Sequence, residues 1–304
     1  MDDLILAKQP LRGLIPISCV IFSSIIFILI GENIFHVDPG LLSVFALFFV
    51  WSAFVISLTN REPLKKIKQP VWGLIFLLIA LTAGILHPFV MNALGYGQEF
   101  YWPIISNLFL GIGLVIAFGN PFAAKYKQPK AVCLSALFMY TFAILTTIAC
   151  GMIPAIWFAF FVYMFFCLDQ WPVSDSPQPI KGIMIFTIMA AMSLVLEYSF
   201  RLFDTSFFQP DGGLWFVTWI WWLVAFSWQL ESWPLQNFKQ PLKGFLTLIL
   251  TVSLTILMFY IIINILGLNS PIASAYIWIF VSWLYSWDIL FGKWPADRDL
   301  PSNN

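Results

Sequence analysis

Ten apolar stretches alternate along the chain with short polar connections: residues 13–31, 40–58, 72–91, 104–119, 131–150, 153–170, 182–198, 214–230, 244–266 and 273–291. A bilayer core is about 30 Å thick and takes about 20 mostly apolar residues as helix. No stretch alternates apolar and polar residues as a strand would. Unpaired backbone in lipid is too costly for anything but helices or closed barrels. The pattern therefore predicts an all-α integral membrane protein of about ten transmembrane helices in a single transmembrane domain, 1–304.

The polar connections carry a recurring signature: KQPLRG (8–13), KQPVWG (68–73), KQPKAV (127–132), PQPIKG (177–182) and KQPLKG (239–244). Gln9, Gln69, Gln128, Gln178 and Gln240 are separated by 60, 59, 50 and 62 residues. A glycine follows the proline in all but the third, which has Val132. Each Gln-Pro precedes an odd-numbered apolar stretch. These spacings predict five helical-hairpin repeats of about 60 residues: 8–67, 68–126, 127–176, 177–238 and 239–304. Two helices per repeat preserve direction, so the repeats run parallel. Proline suits a helix start, where its missing N–H costs nothing, and Gln can help satisfy the exposed N–H groups there. The signature reads first as re-entry punctuation rather than as a set of ligand-binding glutamines.

Composition changes the picture little. Hydrophobic residues make up 61% and charged residues 10% of the chain, against about half and a quarter in a soluble domain, which leaves too few charges for a water-facing surface. Net charge is zero, so no bulk field points to nucleic acid. Four scattered cysteines form no C-x-x-C pair and read as small buried hydrophobes. The acidic start MDDLILAKQP and the run after it lack signal-peptide features, and residues 14–31 read as a retained first span.

Lys and Arg set the orientation. Placing the Gln-Pro connections on one side puts fourteen of the fifteen basic residues there and leaves Arg201 opposite. The positive-inside rule then places both termini in the cytoplasm and the chain in a plasma (inner) membrane.

Candidate chemistry is sparse. Asn60, Asn120, Asp169, Gln229 and Asp288 recur near the ends of the even-numbered stretches. They could line a path or merely cap helices beside lysines, and the second reading is the simpler. Asp169 and Asp288 are the foremost candidates, because a carboxylate near a span usually has a partner. Glu197 and Arg201, four apart, can pair on one helix face. His36 and His87, with Glu32, Asp38 and Glu99 nearby in sequence, are weak metal candidates and read more simply as separate loop residues. Aromatic stripes, such as Tyr276, Phe280, Trp283 and Trp287, read as packing. No cofactor is implied. Mid-span lysine, nucleotide-binding and hydrolase motifs are missing.

Three functions fit. A small-solute transporter or permease accords best with the span count, the repeats and the few polar groups inside the spans. A non-transporting scaffold or subunit that binds lipid or partner subunits fits the aromatic bulk. A lipid-modifying enzyme would need a nucleophile or metal site that cannot be assembled from these residues.

Overall fold

The computed structural model describes residues 9–34, 36, 38–59, 67–93, 95–151, 155–202 and 212–293. The described residues are helical, with no strand among them. In chain order the helices are α1 (Leu11–Asn33), α2 (Pro39–Ser57), α3 (Val71–Ala93), α4 (Gln98–Ala117), the short α5 (Pro121–Lys125), α6 (Lys130–Cys150), α7 (Ala155–Val162), α8 (Ile180–Leu202), α9 (Gly212–Val224), α10 (Leu242–Tyr260) and α11 (Ser270–Tyr285). One turn of π-helix extends α7 (Tyr163–Cys167), α9 (Ala225–Gln229), α10 (Ile261–Ile265) and α11 (Ser286–Leu290). Six helical segments, Pro39–Ser57, Val71–Ala93, Phe100–Ala117, Lys130–Cys150, Ile180–Ser199 and Leu242–Ile265, are long and apolar enough to cross a membrane. Leu11–Ile26 and Ile156–Cys167 are shorter apolar helices. The expected stretch at 104–119 starts earlier, at Gln98: Pro103 sits inside this helix, and the polar QEFYW turn before it is helical too.

Packing sorts the helices into two sets. Around the inside, α2 touches α4, α4 touches α7, α7 touches α9, α9 touches α11, and α11 returns to α2. The other long helices lie outside, one against each groove. Helix α1 touches α11 and the π end of α9, and α3 touches α2 and the π end of α11. Helix α6 touches α4 and α2, α8 touches α7 and α4, and α10 touches α9 and the π end of α7. The inner ring is thus closed, with its first and last helices in chain order, α2 and α11, in contact. The Ser282 hydroxyl of α11 donates to the Ala46 carbonyl of α2 (3.2 Å) across that seam.

Aromatic side chains fill the inside of the ring. Phe109 of α4 lies 4.8 Å, centroid to centroid, from Phe158 of α7. It also stacks at 6.0 Å on Trp278 of α11, although α2 separates α4 from α11 around the ring. All three rings are buried.

Each outer helix buries one stripe of mainly small residues. On α3 it is Gly73, Phe76, Ala80 and Gly84, on α6 Ser135, Met139 and Ala143, and on α10 Gly244, Thr247, Thr251 and Thr255. Counted from the preceding Gln-Pro, these positions coincide, and α1 (Gly13, Pro16, Val20, Ser24) and α8 (Gly182, Ile185, Met189, Ser193) bury the same register. Lipid is as apolar as leucine, so helices gain little by burying large apolar groups against each other, and close backbone approach is what holds them. A Cβ on Gly84 would lie 3.1 Å from the Phe49 amide nitrogen and 3.2 Å from the Phe45 carbonyl oxygen. Interhelical hydrogen bonds add to this. Asn107, fully buried in α4, donates from Nδ2 to Thr147 Oγ1 (2.9 Å) and to the Gly151 carbonyl (2.9 Å), and Trp219 Nε1 donates to Thr251 Oγ1 (3.1 Å).

Candidate functional site

Helix C-termini leave carbonyls without intrahelical partners, and near lipid each needs a donor. The Gln-Pro segments supply one. Gln9 Nε2 donates to the Gln229 carbonyl (3.0 Å), Gln69 to Leu290 (2.9 Å), Gln128 to Leu58 (2.6 Å), Gln178 to Ala117 (2.8 Å) and Gln240 to Cys167 (2.8 Å). Each acceptor lies at the end of an inner helix. Gln240 also serves its own helix: its Oε1 accepts from the Gly244 amide (3.1 Å). The five Gln-Pro bonds are cis. Satisfying the N–H groups of its own helix start, as the sequence suggests for Gln, covers only part of this: all five donate to the end of another helix, and Gln240 does both.

The glycine after each proline has a steric reason. It sits against the residue that follows the clamped carbonyl: a Cβ on Gly73 would meet Phe291, on Gly182 Phe118, on Gly244 Leu168, and on Gly13 both Leu230 and the Gln229 carbonyl. Where the signature carries Val132 instead, the residue after the clamped Leu58 carbonyl is Thr59. Bulk on one side is matched by smallness on the other.

Past the clamp the chain turns through left-handed residues: Gly119 and Asn120, Asp169 and Gln170, Glu231 and Ser232, Gly292 and Lys293. Two of these turns hold a carboxylate. Asp169 Oδ2 accepts from Gln240 Nε2 (2.9 Å) and from Lys243 Nζ (3.1 Å). Glu231 Oε1 accepts from Lys293 Nζ (3.0 Å) and lies 3.6 Å from Arg12. Arg12 and Lys243 occupy the same place after their glutamines, as do Glu231 and Asp169 after their clamped carbonyls. Partial burial of Glu231 works against its charge, but Lys293 and Arg12 outweigh it and hold the carboxyl below the ordinary glutamate value.

The sequence-derived candidates distribute accordingly. Asp169 is a capping and ion-pairing residue at the Gln-Pro end. Asp288 lies two residues before the clamped Leu290 carbonyl, 3.8 Å from Lys293 Nζ, and with Ser57, Trp72 and Phe76 lines a cavity of about 400 Å³. Asn120 caps α5, its Oδ1 accepting from the Ala123 amide (3.2 Å) and the Ser135 hydroxyl (3.2 Å). Gln229 lends its carbonyl to Gln9, while its buried Nε2 has no partner among the described residues. Asn60 and the Arg201 side chain lie outside the described residues; Glu197 stands in the last two turns of α8. Counted from the clamped carbonyls, the four described members occupy different registers, Asp169 two residues after, Asn120 three after, Gln229 at the carbonyl and Asp288 two before, so Asp169 corresponds to Glu231 and not to Gln229.

The histidines are not equivalent either. His36 is exposed between α1 and α2. His87 belongs to α3 rather than to a loop: it stacks on Phe48 at 4.8 Å, its Nδ1–H donates to the Ala83 carbonyl (2.6 Å), and Nε2 accepts from the Tyr140 hydroxyl. No trio of His, Cys, Asp or Glu among the described residues could hold a metal ion. Of the cysteines only Cys167 is buried; Cys19, Cys133 and Cys150 are exposed, which departs from the buried reading. Sequence reasoning missed Asn107, Glu231 and the His87–Tyr140 pair. Glu231 alone had a signal, its place immediately after the apolar stretch 214–230.

The fold defines a class: an all-helical protein with several helices long and apolar enough for membrane integration. No family model, curated protein or solved structure matches the chain.

Proposed function

We propose that the protein is a ring of five parallel helical hairpins crossing the inner membrane ten times, with both termini and all Gln-Pro clamps in the cytoplasm, and that it acts as a non-transporting scaffold or complex subunit. The five clamps support the repeat: each hairpin's glutamine reaches the hairpin two before it in chain order, and the first and second reach round to the fourth and fifth. The basic Gln-Pro side supports the orientation.

One observation carries the scaffold reading over a permease for small solutes. A permease needs a polar path between the inner helices, and there Phe109 packs against Phe158 and stacks on Trp278 across the ring. The candidates for substrate contact, Asp169 and Asp288, stand at the Gln-Pro end, where both engage lysines. Partner membrane subunits and lipids are the binding partners this reading implies.

Two experiments test it. Purified protein in proteoliposomes is offered a panel of amino acids, sugars, nucleosides and inorganic ions; uptake of any of them above empty vesicles ends the scaffold reading. Single cysteines at Ile67, Phe238 and Gln209 report topology: an impermeant reagent outside the cell modifies only the Gln209→Cys variant. Labelling at position 67 or 238 refutes the orientation.

A further inference from the structure

The clamped interfaces are not alike. Two hold an acid–base pair, Arg12 with Glu231 and Lys243 with Asp169. At the interface between α8 and the end of α4 the base is kept, as Lys181, but the acidic place is Gly119. No ion pair forms at Lys181 among the described residues, and the nearest carboxylate in sequence, Asp175 on the preceding turn, is not paired with it either. Beside this interface opens a cavity of about 510 Å³ lined by Leu114, Phe118, Phe122, Phe138, Gln178 and Pro179. It is apolar apart from the clamping glutamine.

The chain elaborates this corner more than the others. Asn120 caps the extra helix α5, which brings Phe122 to 5.9 Å from Phe138 across the groove. The same helix ends in Lys125, and Lys125 and Lys130 flank the Tyr126 ring at 5.7 and 4.6 Å. From Glu99 to Asp169 the sequence carries Lys125, Lys127 and Lys130 and no carboxylate. An apolar groove lined by the Gln178-Pro179 segment, with Lys181 two residues on, three lysines on and beside α5, and no carboxylate where two of the five clamps have one, matches one kind of molecule: an acyl chain bearing a negative headgroup.

We propose that this groove binds a single anionic phospholipid, with an acyl chain against Leu114, Phe118 and Phe138. Its phosphate takes the place beside Lys181 that a carboxylate fills at the two charged interfaces, and Lys125 and Lys130 add to the positive rim. The inference holds whether the ring scaffolds or transports.

The test is native mass spectrometry of the full chain purified with equimolar phosphatidylglycerol and phosphatidylcholine. The wild type is expected to retain one phosphatidylglycerol in preference to phosphatidylcholine. Lys181→Gln lowers that retention about fivefold, the effect of one lysine at an anionic surface. Gly119→Asp restores the missing counter-ion and lowers it as much; Asp169 and Glu231 already occupy that backbone conformation, with φ of 51°. If Gly119→Asp does not give a monodisperse helical protein, Lys181→Gln decides alone. Inorganic phosphate in excess leaves the lipid bound, since the chain in the groove holds it. Equal retention of the two lipids, wild-type retention by Lys181→Gln, or displacement by phosphate alone each overturns the proposal.

Discussion

The inner and outer helices are equally apolar and differ in what they touch. The spans of α2 and α4 have mean hydropathies of 2.2 and 1.8, and 67% of each is buried inside the protein. The spans of α3, α6, α8 and α10 range from 1.8 to 2.6, and only 22% of each is buried. Hydropathy measures the cost of leaving lipid, and both sets avoid that cost. Position in the ring follows from the contact surface: large aromatic residues face inward on the inner helices, and one stripe of mainly small and hydroxyl residues seats each outer helix. In lipid the specific contacts are van der Waals fit and hydrogen bonds, so a few small residues decide where an outer helix sits.

The sharpest way to break this contrast is to add bulk to the stripe. Gly84→Leu on α3 is expected to cost about 1–3 kcal/mol, the usual range for overpacking, because the nearest atoms are backbone of α2. Leu78→Ala, on the lipid face of the same helix, is expected to stay within about 0.5 kcal/mol. Unfolding midpoints in SDS titrations measure both; equal midpoints would show that the stripe is not what seats α3. The glycines at the clamps refine the point. Gly13→Ala places its Cβ 2.5 Å from the Gln229 carbonyl oxygen and should disrupt the Gln9 clamp, whereas Gly244→Ala meets chiefly the Leu168 side chain, which can rotate. The first variant should melt well below the second.

Hydrogen bonds between the two sets come next. Asn107→Leu removes two bonds from α4 to the end of α6 and its following turn, and is expected to cost about 1–2 kcal/mol, toward the upper end for interhelical bonds in membranes. A variant as stable as wild type would make the buried amide incidental. Gln240→Leu removes bonds to the Cys167 carbonyl, to Asp169 and from the Gly244 amide and should cost about 1–2 kcal/mol, the net worth of a few ordinary hydrogen bonds; faster exchange of the Gly244 amide reports the loss of its acceptor, and an unchanged rate would remove that bond from the account.

The smallest effect is electrostatic. Glu231 has a folded pKa below its unfolded value, so its contribution is fully present above the ordinary glutamate pKa of about 4.3 and is lost as pH falls through the folded value. Melting temperature should decline on acidification below about pH 4.5, and Glu231→Gln should decline less. Both pairs around Glu231 are partly exposed, so the difference is small; a parallel decline in the two proteins would remove the carboxylate from the account.

The sequence by itself determined the helices, the membrane class and the position of the turns. Runs of apolar residues leave helix as the one economical form in lipid, and proline with a basic neighbour marks where each outer helix begins. It also marked Asp169 and Asp288 as carboxylates near lysines. Only the tertiary structure decided what those marks do. Nothing local says that Gln9 meets the carbonyl of Gln229, since the two lie 220 residues apart. Nor does it say that Gly182 exists for Phe118. Secondary structure in lipid is set residue by residue, by solvation of the backbone; the order of helices around a ring is set by matching surfaces, and a match has no meaning until both partners are in place.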